Sequence, residues 1–149
     1  MLIFSTGEPF ATGAMDYGYH SYSDDDMAAR VVLPILVEGN LTNAILDTGA
    51  PYLICSPSLA RHLTLDPGAA LSRHEILIRG YRVRGGLHRL SLTLSATYGD
   101  SLTFEAISFV PDFSEQLEFP TFIGLLGCLE WIRFAVDPAT NTFYFGACS

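Results

Sequence analysis

Short apolar segments separated by turn-forming residues dominate the chain from residue 31 onward. Some of them alternate apolar and polar positions, as residues 90–94 do, and others are continuous apolar runs that contain β-branched residues. Both patterns are typical of β-strands that bury one face or two. They predict strands over residues 31–37, 41–46, 52–55, 75–79, 87–94 and 102–110.

Residues 56–63 break this pattern. Ser56 is a favourable N-cap residue, and Pro57 suits the first position of a helix because it has no N–H to satisfy. We therefore expect a short helix here, in a chain otherwise made of strands. The predicted fold class is all-β, a small closed or folded-over sheet with one or two short helices.

Residues 1–28 differ from the rest of the chain. They show no sustained period, and they are rich in Gly, Ser, Thr and Tyr around the acidic run Asp24-Asp25-Asp26. This composition predicts an acidic N-terminal arm of flexible character over residues 1–28. A single domain is predicted over residues 29–149, which is long enough to bury a core of its own.

The composition bears on the partners of the chain. Hydrophobic residues make up 49% of it and charged residues only 16%, which predicts apolar surface reserved for a partner subunit. The formal net charge is −8, from 16 acidic residues against 8 arginines and no lysine. So acidic a chain repels phosphate backbones, and nucleic acid is therefore not an expected partner.

The chain carries no signal for a membrane or for secretion. It has no apolar run of about 18 residues, so no membrane span is expected. The N-terminus, Met1-Leu2-Ile3-Phe4, has no basic region and too short an apolar stretch for a secretion signal, which favours a cytoplasmic location. An anchor removed from the chain remains an alternative.

The cysteines and histidines do not predict a metal or cofactor site. Three widely spaced cysteines, Cys55, Cys128 and Cys148, form no Cys-X-X-Cys pair, and the four histidines show no ligand spacing. Neither a disulfide framework, a metal centre nor a cofactor is expected. Cys55 lies in an apolar strand, where we interpret it as a packed thiol rather than a nucleophile.

One tetrapeptide gives the clearest indication of a chemically active group. The apolar run that ends at residue 46 is followed by Asp47-Thr48-Gly49-Ala50, so a carboxylate is delivered from a strand end into a tight turn. Asp47 would supply the acid/base group, and Gly49 permits close approach of the backbone to the carboxylate. An ordinary Asp-X-Gly surface turn is the alternative reading.

A second motif about eighty residues downstream completes a family resemblance. The chain resembles the retropepsin-like (retroviral-type) aspartic proteases, whose active-site loop reads Asp-Thr-Gly-Ala and whose later hydrophobic-hydrophobic-Gly tripeptide leads into a short helix and a closing strand. Leu125-Leu126-Gly127 fits the tripeptide, and Ile123-Gly124 offers a second register. Residues 128–132 then fit the helix, and residues 141–146 fit the closing strand.

The resemblance also implies a flap, a mobile hairpin that closes over the substrate. The β-prone segments 75–79 and 87–94 flank the glycine-rich stretch 80–86, which places the hairpin tip there. Gly80, Gly85 and Gly86 are accordingly expected to belong to the flap and its substrate-binding part.

Because the chain holds one Asp-Thr-Gly only, the resemblance implies a homodimer in which each copy supplies one carboxylate. The Thr48 hydroxyl would then bond across the dimer axis. The expected function is an aspartic endopeptidase acting on a peptide or protein substrate, with Asp47 catalytic. The alternatives are an inactive domain of the same fold that dimerises or binds peptides, and a structural barrel whose Asp-Thr-Gly is a turn.

Overall fold

A computed structural model describes residues 1–24, 26–113 and 117–148, and strands account for most of the regular structure in them. The strands are β1 (Gly13–Asp16), β2 (Gly18–His20), β3 (Arg30–Val37), β4 (Asn40–Leu46), β5 (Leu53–Ile54), β6 (Ser72–Ile78), β7 (Tyr81–Leu94), β8 (Tyr98–Gly99), β9 (Leu102–Pro111), β10 (Thr121–Ile123), β11 (Ile132–Asp137) and β12 (Thr142–Ala147). The helices are α1 (Pro57–Ala60) and two 3-10 turns, Pro67–Ala69 and Leu129–Trp131.

Six strands close into a small barrel. The order runs β3, β4, β10, β5, β9 and β7, and β7 returns to β3 where Thr93 and Leu92 pair with Leu36 and Val37. Strand β2 extends the barrel beyond β3, and β6 extends it beyond β7. The predicted all-β fold with a closed sheet is confirmed.

The barrel interior follows from the alternation seen in the sequence. In β3, Leu33, Ile35 and Val37 are at most 1% exposed, whereas Pro34 between them faces outward. The two-residue turn Glu38–Gly39 has positive φ at both positions, which matches the right-handed twist of the strands it joins. The turn fixes the register of β3 against β4 and so the position of everything that follows β4.

A second sheet, in the order β11, β12, β1 and β8, covers one side of the barrel. Here the structure differs from the arm predicted over residues 1–28, because residues 13–16 and 18–20 are paired strands. Met15 and Tyr17 are buried, and the small residue Gly13 lets β1 lie directly against the Phe145 ring. Local periodicity missed these strands because their partners, above all β12, are remote in sequence. Asp25 of the acidic run lies outside the described residues.

The helices are shorter than predicted. In α1, the Ser56 hydroxyl accepts from the Leu59 N–H at 3.0 Å, so the predicted cap is confirmed, but the helix ends at Ala60. The predicted helix over residues 128–132 is a single 3-10 turn, because β11 already begins at Ile132. The closing strand is present as β12. No helix in the described part of the chain has the length and apolar character needed to cross a membrane.

Candidate active site

Asp47 directly follows β4 and opens a tight turn at one end of the barrel. Its N–H donates to the Ile123 carbonyl at 3.0 Å, and its own carbonyl accepts from the Ala50 N–H at 3.0 Å. Its carboxylate oxygen Oδ1 accepts from the Gly49 N–H at 3.1 Å. The turn therefore orients the side chain, while the residue stays partly open to solvent, where a carboxylate can exchange protons.

Strand β10 and the residues just after it are hydrogen-bonded to this turn. It passes between β4 and β5, parallel to the first and antiparallel to the second. Just past its end, the Gly124 N–H donates to the Tyr52 carbonyl at 2.8 Å, and the Leu125 N–H donates to the Ala50 carbonyl at 2.9 Å. Together with the bond from the Asp47 N–H to Ile123, these bonds reach both ends of the turn, so a remote segment as well as the local sequence sets the position of the Asp47 backbone.

The packing distinguishes the two registers of the hydrophobic-hydrophobic-Gly motif. Gly124 is the glycine that meets the Asp47 turn, because a Cβ there would lie 2.3 Å from the Tyr52 carbonyl oxygen and 2.5 Å from that of Ala50. Gly127 is needed for a different reason, since its φ of +70° is left-handed and a Cβ would crowd the Ile107 side chain. Each glycine meets a separate structural requirement, so both possible registers of the hydrophobic-hydrophobic-Gly motif contain a glycine that the fold needs.

Leu125, Leu126 and Gly127 lie on the outer side of the turn. The two leucines are 41% and 55% exposed, and with residues 48–51 and Glu130 they line a shallow cavity open to solvent. The Glu130 carboxylate accepts a hydrogen bond from the Gly127 N–H, which holds this segment in place. An apolar surface thus borders the turn, with Thr48 exposed beside it.

A cleft of about 550 Å³ separates the Asp47 turn from the β6–β7 hairpin. One wall comes from the turn, residues 47 and 49–51, and the other from the hairpin, residues 76–79. Arg30, Ile54 and Phe122 complete the lining. Most of the lining residues are apolar, and one carboxylate and two arginines add polar surface to the cleft.

The hairpin has a shorter tip than the sequence predicted. Its turn consists of Arg79 and Gly80, with φ of 51° and 84°, so the tip is a two-residue turn rather than a glycine-rich loop. Gly85 and Gly86 are not at the tip but inside β7, opposite His74 and Arg73 of β6, and neither lines the cleft. In this position Gly85 allows close packing, because a Cβ would lie 2.3 Å from the Val110 carbonyl oxygen.

A small apolar cluster joins the hairpin to the body of the protein. Ile78 and Val83, on either side of the tip, are buried together with Ile54 and Phe109, and Ile76 packs against the same cluster. Tyr81 lies opposite Ile78 and Leu77 lies opposite Arg82, so these two exposed residues, at 60% and 70%, are on different faces of the hairpin. The buried isoleucine and valine therefore hold the hairpin over the cleft, while the residues nearest its tip remain open to solvent.

Arg30 lines the cleft but belongs to neither sequence motif. Its guanidinium pairs with the Asp26 carboxylate, Nε to Oδ2, at 3.1 Å. This hydrogen bond is the main cause that raises the pKa of Arg30, and the charge of Asp47 acts in the same direction. The β3–β4 register contains the signal that could have found it: Val32 pairs with Ile45, and two residues further on Arg30 comes opposite Asp47.

Two of the cysteines are inert packing residues. Cys55 and Cys128 are both buried, and burial raises the pKa of each thiol to about 12. Neither is a thiolate near neutral pH, so neither can serve as a nucleophile. The interpretation of Cys55 as a packed thiol is confirmed.

Comparison with known proteins identifies the fold. The chain matches no protein-family model and no curated protein. A solved structure of a retropepsin-like aspartic protease from Rickettsia conorii is similar to it, with a TM-score of 0.56 over 89% of this chain and 89% of that chain. The sequences are 16% identical. The protein has a retropepsin-like fold.

Proposed function

We propose that this protein is an aspartic endopeptidase that hydrolyses peptide bonds with a water molecule activated between Asp47 of two copies of the chain. One observation carries the proposal: the Asp47 carboxylate is oriented by the Gly49 N–H and lies in the wall of the cleft between turn and hairpin. The likeness to the Rickettsia conorii protease supports it through the shared fold.

The chemistry requires two carboxyl groups that share one proton. The ionised carboxylate takes a proton from the water molecule as the water oxygen attacks the scissile carbonyl carbon. The protonated carboxyl group donates its proton to the carbonyl oxygen. The tetrahedral diol then collapses, the C–N bond breaks and the amine nitrogen leaves with a proton. Because the shared proton is needed, activity is expected on the acid side of neutrality.

A homodimer would supply the second carboxyl group. The exposed leucines at 125 and 126 border the Asp47 turn, and large apolar side chains in such a place favour a partner subunit over solvent. Thr48 is exposed at the same surface, where its hydroxyl can bond to the second copy. Twofold symmetry about this surface would bring the two Asp47 side chains together.

The cleft suits an extended peptide. Its walls are the Asp47 turn and the hairpin, and among the described residues β6 is the last strand of its sheet, with one edge unpaired. An extended substrate can therefore bond to backbone groups while its side chains enter the apolar lining. Gly80, at the hairpin tip, gives the backbone freedom for the hairpin to move as the peptide enters.

The test compares Asp47→Asn with a matched variant, Asp66→Asn. Asp66 also begins an Asp-X-Gly turn and accepts a hydrogen bond from Gly68, but it is exposed and lies outside the cleft. Each protein is incubated with a diverse peptide library from pH 3 to 8, and the cleavage products are read by mass spectrometry. Asp47→Asn should lose at least about a hundredfold in rate, because an amide cannot accept the proton, and Asp66→Asn should keep it.

Sedimentation at several concentrations completes the test, since specific activity should fall as the dimer dissociates. Undiminished cleavage by Asp47→Asn, or full activity in a monomer, would contradict the proposal. Peptide binding without cleavage by the wild type would instead favour the alternative of a binding module.

A further inference from the structure

The arginines of this acidic chain are concentrated on the hairpin. Four of the eight, Arg79, Arg82, Arg84 and Arg89, fall within eleven residues, although the chain as a whole carries a formal net charge of −8. Three of them lie in β7 and one in the turn at the tip. The distribution therefore sets a local positive charge against an acidic background.

Only one of these four arginines lines the cleft. Arg79 is part of its lining, whereas Arg82, Arg84 and Arg89 are not. Arg82 has a partner on the hairpin itself, Glu75, at 3.7 Å. Arg79 takes part in no ion pair within the described ranges. Its charge is thus available to a molecule that enters the cleft.

The other arginine of the cleft is already neutralised. Arg30 donates to both carboxylate oxygens of Asp26, Nε at 3.1 Å and Nη2 at 3.3 Å. A two-bond pair of this kind holds a guanidinium more firmly than a single contact does. A bound molecule would compete with Asp26 for the Nε and Nη2 donors of Arg30, whereas no carboxylate among the described residues pairs with Arg79.

The surroundings of Arg79 restrict what it can bind. Its backbone lies in a two-residue turn, and the preceding residue, Ile78, is buried. The Cα and Cβ of Arg79 are therefore positioned at the edge of the cleft. Ile54, Ile76 and Phe122 make the lining beneath it apolar. A ligand matching both features has an apolar side chain for the lining and a carboxylate for the guanidinium.

We propose that the cleft selects extended peptides in which an apolar residue is flanked by Asp or Glu, with Arg79 as the residue that determines this specificity. The inference rests on the proposed endopeptidase function, because it names the substrate class of the same cleft. Arg79 would pair with the acidic side chain beside the scissile bond, while the apolar lining holds the neighbouring residue. An isolated exposed pair is weak, so we expect a threefold to tenfold preference, about the range of a charge-assisted contact that is partly shielded from water.

The experiment uses two readouts, so that binding and cleavage are separated. Peptides with an apolar pair at the scissile position carry Glu or its neutral isostere Gln at each flanking position in turn. A matched series has a hydroxyl-bearing isostere in place of the scissile amide, so that it binds without being cut. The full chain, Arg79→Gln and Arg79→Glu are compared for kcat/KM on the first series and for Kd on the second.

Arg82→Gln is the matched control, because it removes a hairpin arginine that does not line the cleft. Wild type and Arg82→Gln should favour Glu over Gln at one flanking position by about threefold to tenfold. Arg79→Gln should lose this preference, and Arg79→Glu should reverse it. The preference should also shrink at high salt, since the pair is partly exposed. Asp26→Asn should enlarge it, because Arg30 would become available as a second cation.

Failure of the proposed specificity and failure of the proposed peptidase function give different experimental results. Cleavage with equal rates on the Glu and Gln peptides, or an equal preference in wild type and Arg79→Gln, would overturn the specificity and leave the peptidase function standing. Selective binding of Glu peptides without cleavage would overturn the peptidase function and support the specificity. Absence of both binding and cleavage would overturn both.

Discussion

Two turns of this protein have the same local geometry and different surroundings. In Asp47-Thr48-Gly49 and in Asp66-Pro67-Gly68, the aspartate Oδ1 accepts from the glycine N–H, at 3.1 Å and 2.9 Å. In both, the aspartate carbonyl accepts from the N–H three residues on. A Cβ on either glycine would lie 3.3 Å from the aspartate Oδ1. Asp-X-Gly is therefore sufficient for the turn.

What differs is the contact with remote parts of the chain. The first turn is bonded to the segment after β10 and faces the cleft, whereas Asp66 is exposed and leads into a 3-10 turn. The comparison shows that a short motif determines the orientation of a carboxylate, and that a strand elsewhere in the sequence determines whether the carboxylate has a site around it.

The largest effect is expected where the remote strand meets the first turn. In Gly124→Ala the new Cβ would overlap the carbonyl oxygens of Tyr52 and Ala50, which belong to backbone and cannot rotate away. We expect a loss of about 3 kcal/mol in the free energy of unfolding, measured by urea denaturation, together with loss of any peptidase activity. Gly68→Ala, in the second turn, is the control and should cost less than about 1 kcal/mol.

Equal destabilisation by Gly124→Ala and Gly68→Ala would show that the remote strand adds nothing to the first turn. In that case the comparison between the two turns would fail.

A smaller effect is expected at the hairpin tip, which is a turn made by local geometry alone. Gly80 has a φ of 84°, and no other atom lies within 4 Å of a Cβ position there. The cost of Gly80→Ala therefore comes from the left-handed backbone conformation and not from a steric clash. We expect a cost of about 1 kcal/mol in urea denaturation with the fold retained. A cost as large as that of Gly124→Ala would mean that the tip is packed like the first turn.

The smallest effect concerns pH and the neighbourhood of the second turn. His88 lines a cavity together with Leu65, which directly precedes that turn. Burial is the main cause that lowers the pKa of His88 below its ordinary value of 6.5, and the positive charge of Arg73 lowers it further. Between that ordinary value and the lower folded value the unfolded chain binds more protons, so the free energy of unfolding falls as the pH falls.

His88→Gln should remove this acid-side slope, while His20→Gln, at an exposed position, should leave it unchanged. Urea denaturation at a series of pH values between 4 and 8 measures both variants. An identical slope in wild type and His88→Gln would refute the assignment. If the slope does belong to His88, the acidic conditions proposed to favour the Asp47 pair are also those in which the fold loses stability.

Strands with local periodicity and local turns were predictable from the sequence. The β3–β4 pair, the Ser56 cap and the Asp47 turn each follow from neighbouring residues. Features that depend on remote partners were not. The strand at residues 13–16 has no alternation of its own. The Gly85-Gly86 pair looked like a loop because only tertiary contacts explain two glycines inside a strand: Gly85 lies against Val110 and Phe109 of β9, and Gly86 lies against Ala70.

The pairing of β1 with β12 also bears on how the protein is made. Gly13 lies opposite Phe145, so these partners are roughly 130 residues apart in the chain, a separation that slows folding. The barrel strands can associate while the ribosome is still adding residues, and β1 can pair with β8, but β1 meets its longer partner only after β12 has emerged. Until then Met15 and Tyr17, which are buried in the finished protein, remain uncovered. Exposed apolar side chains of this kind favour chaperone binding, and the pairing of β12 with β1 removes them from solvent.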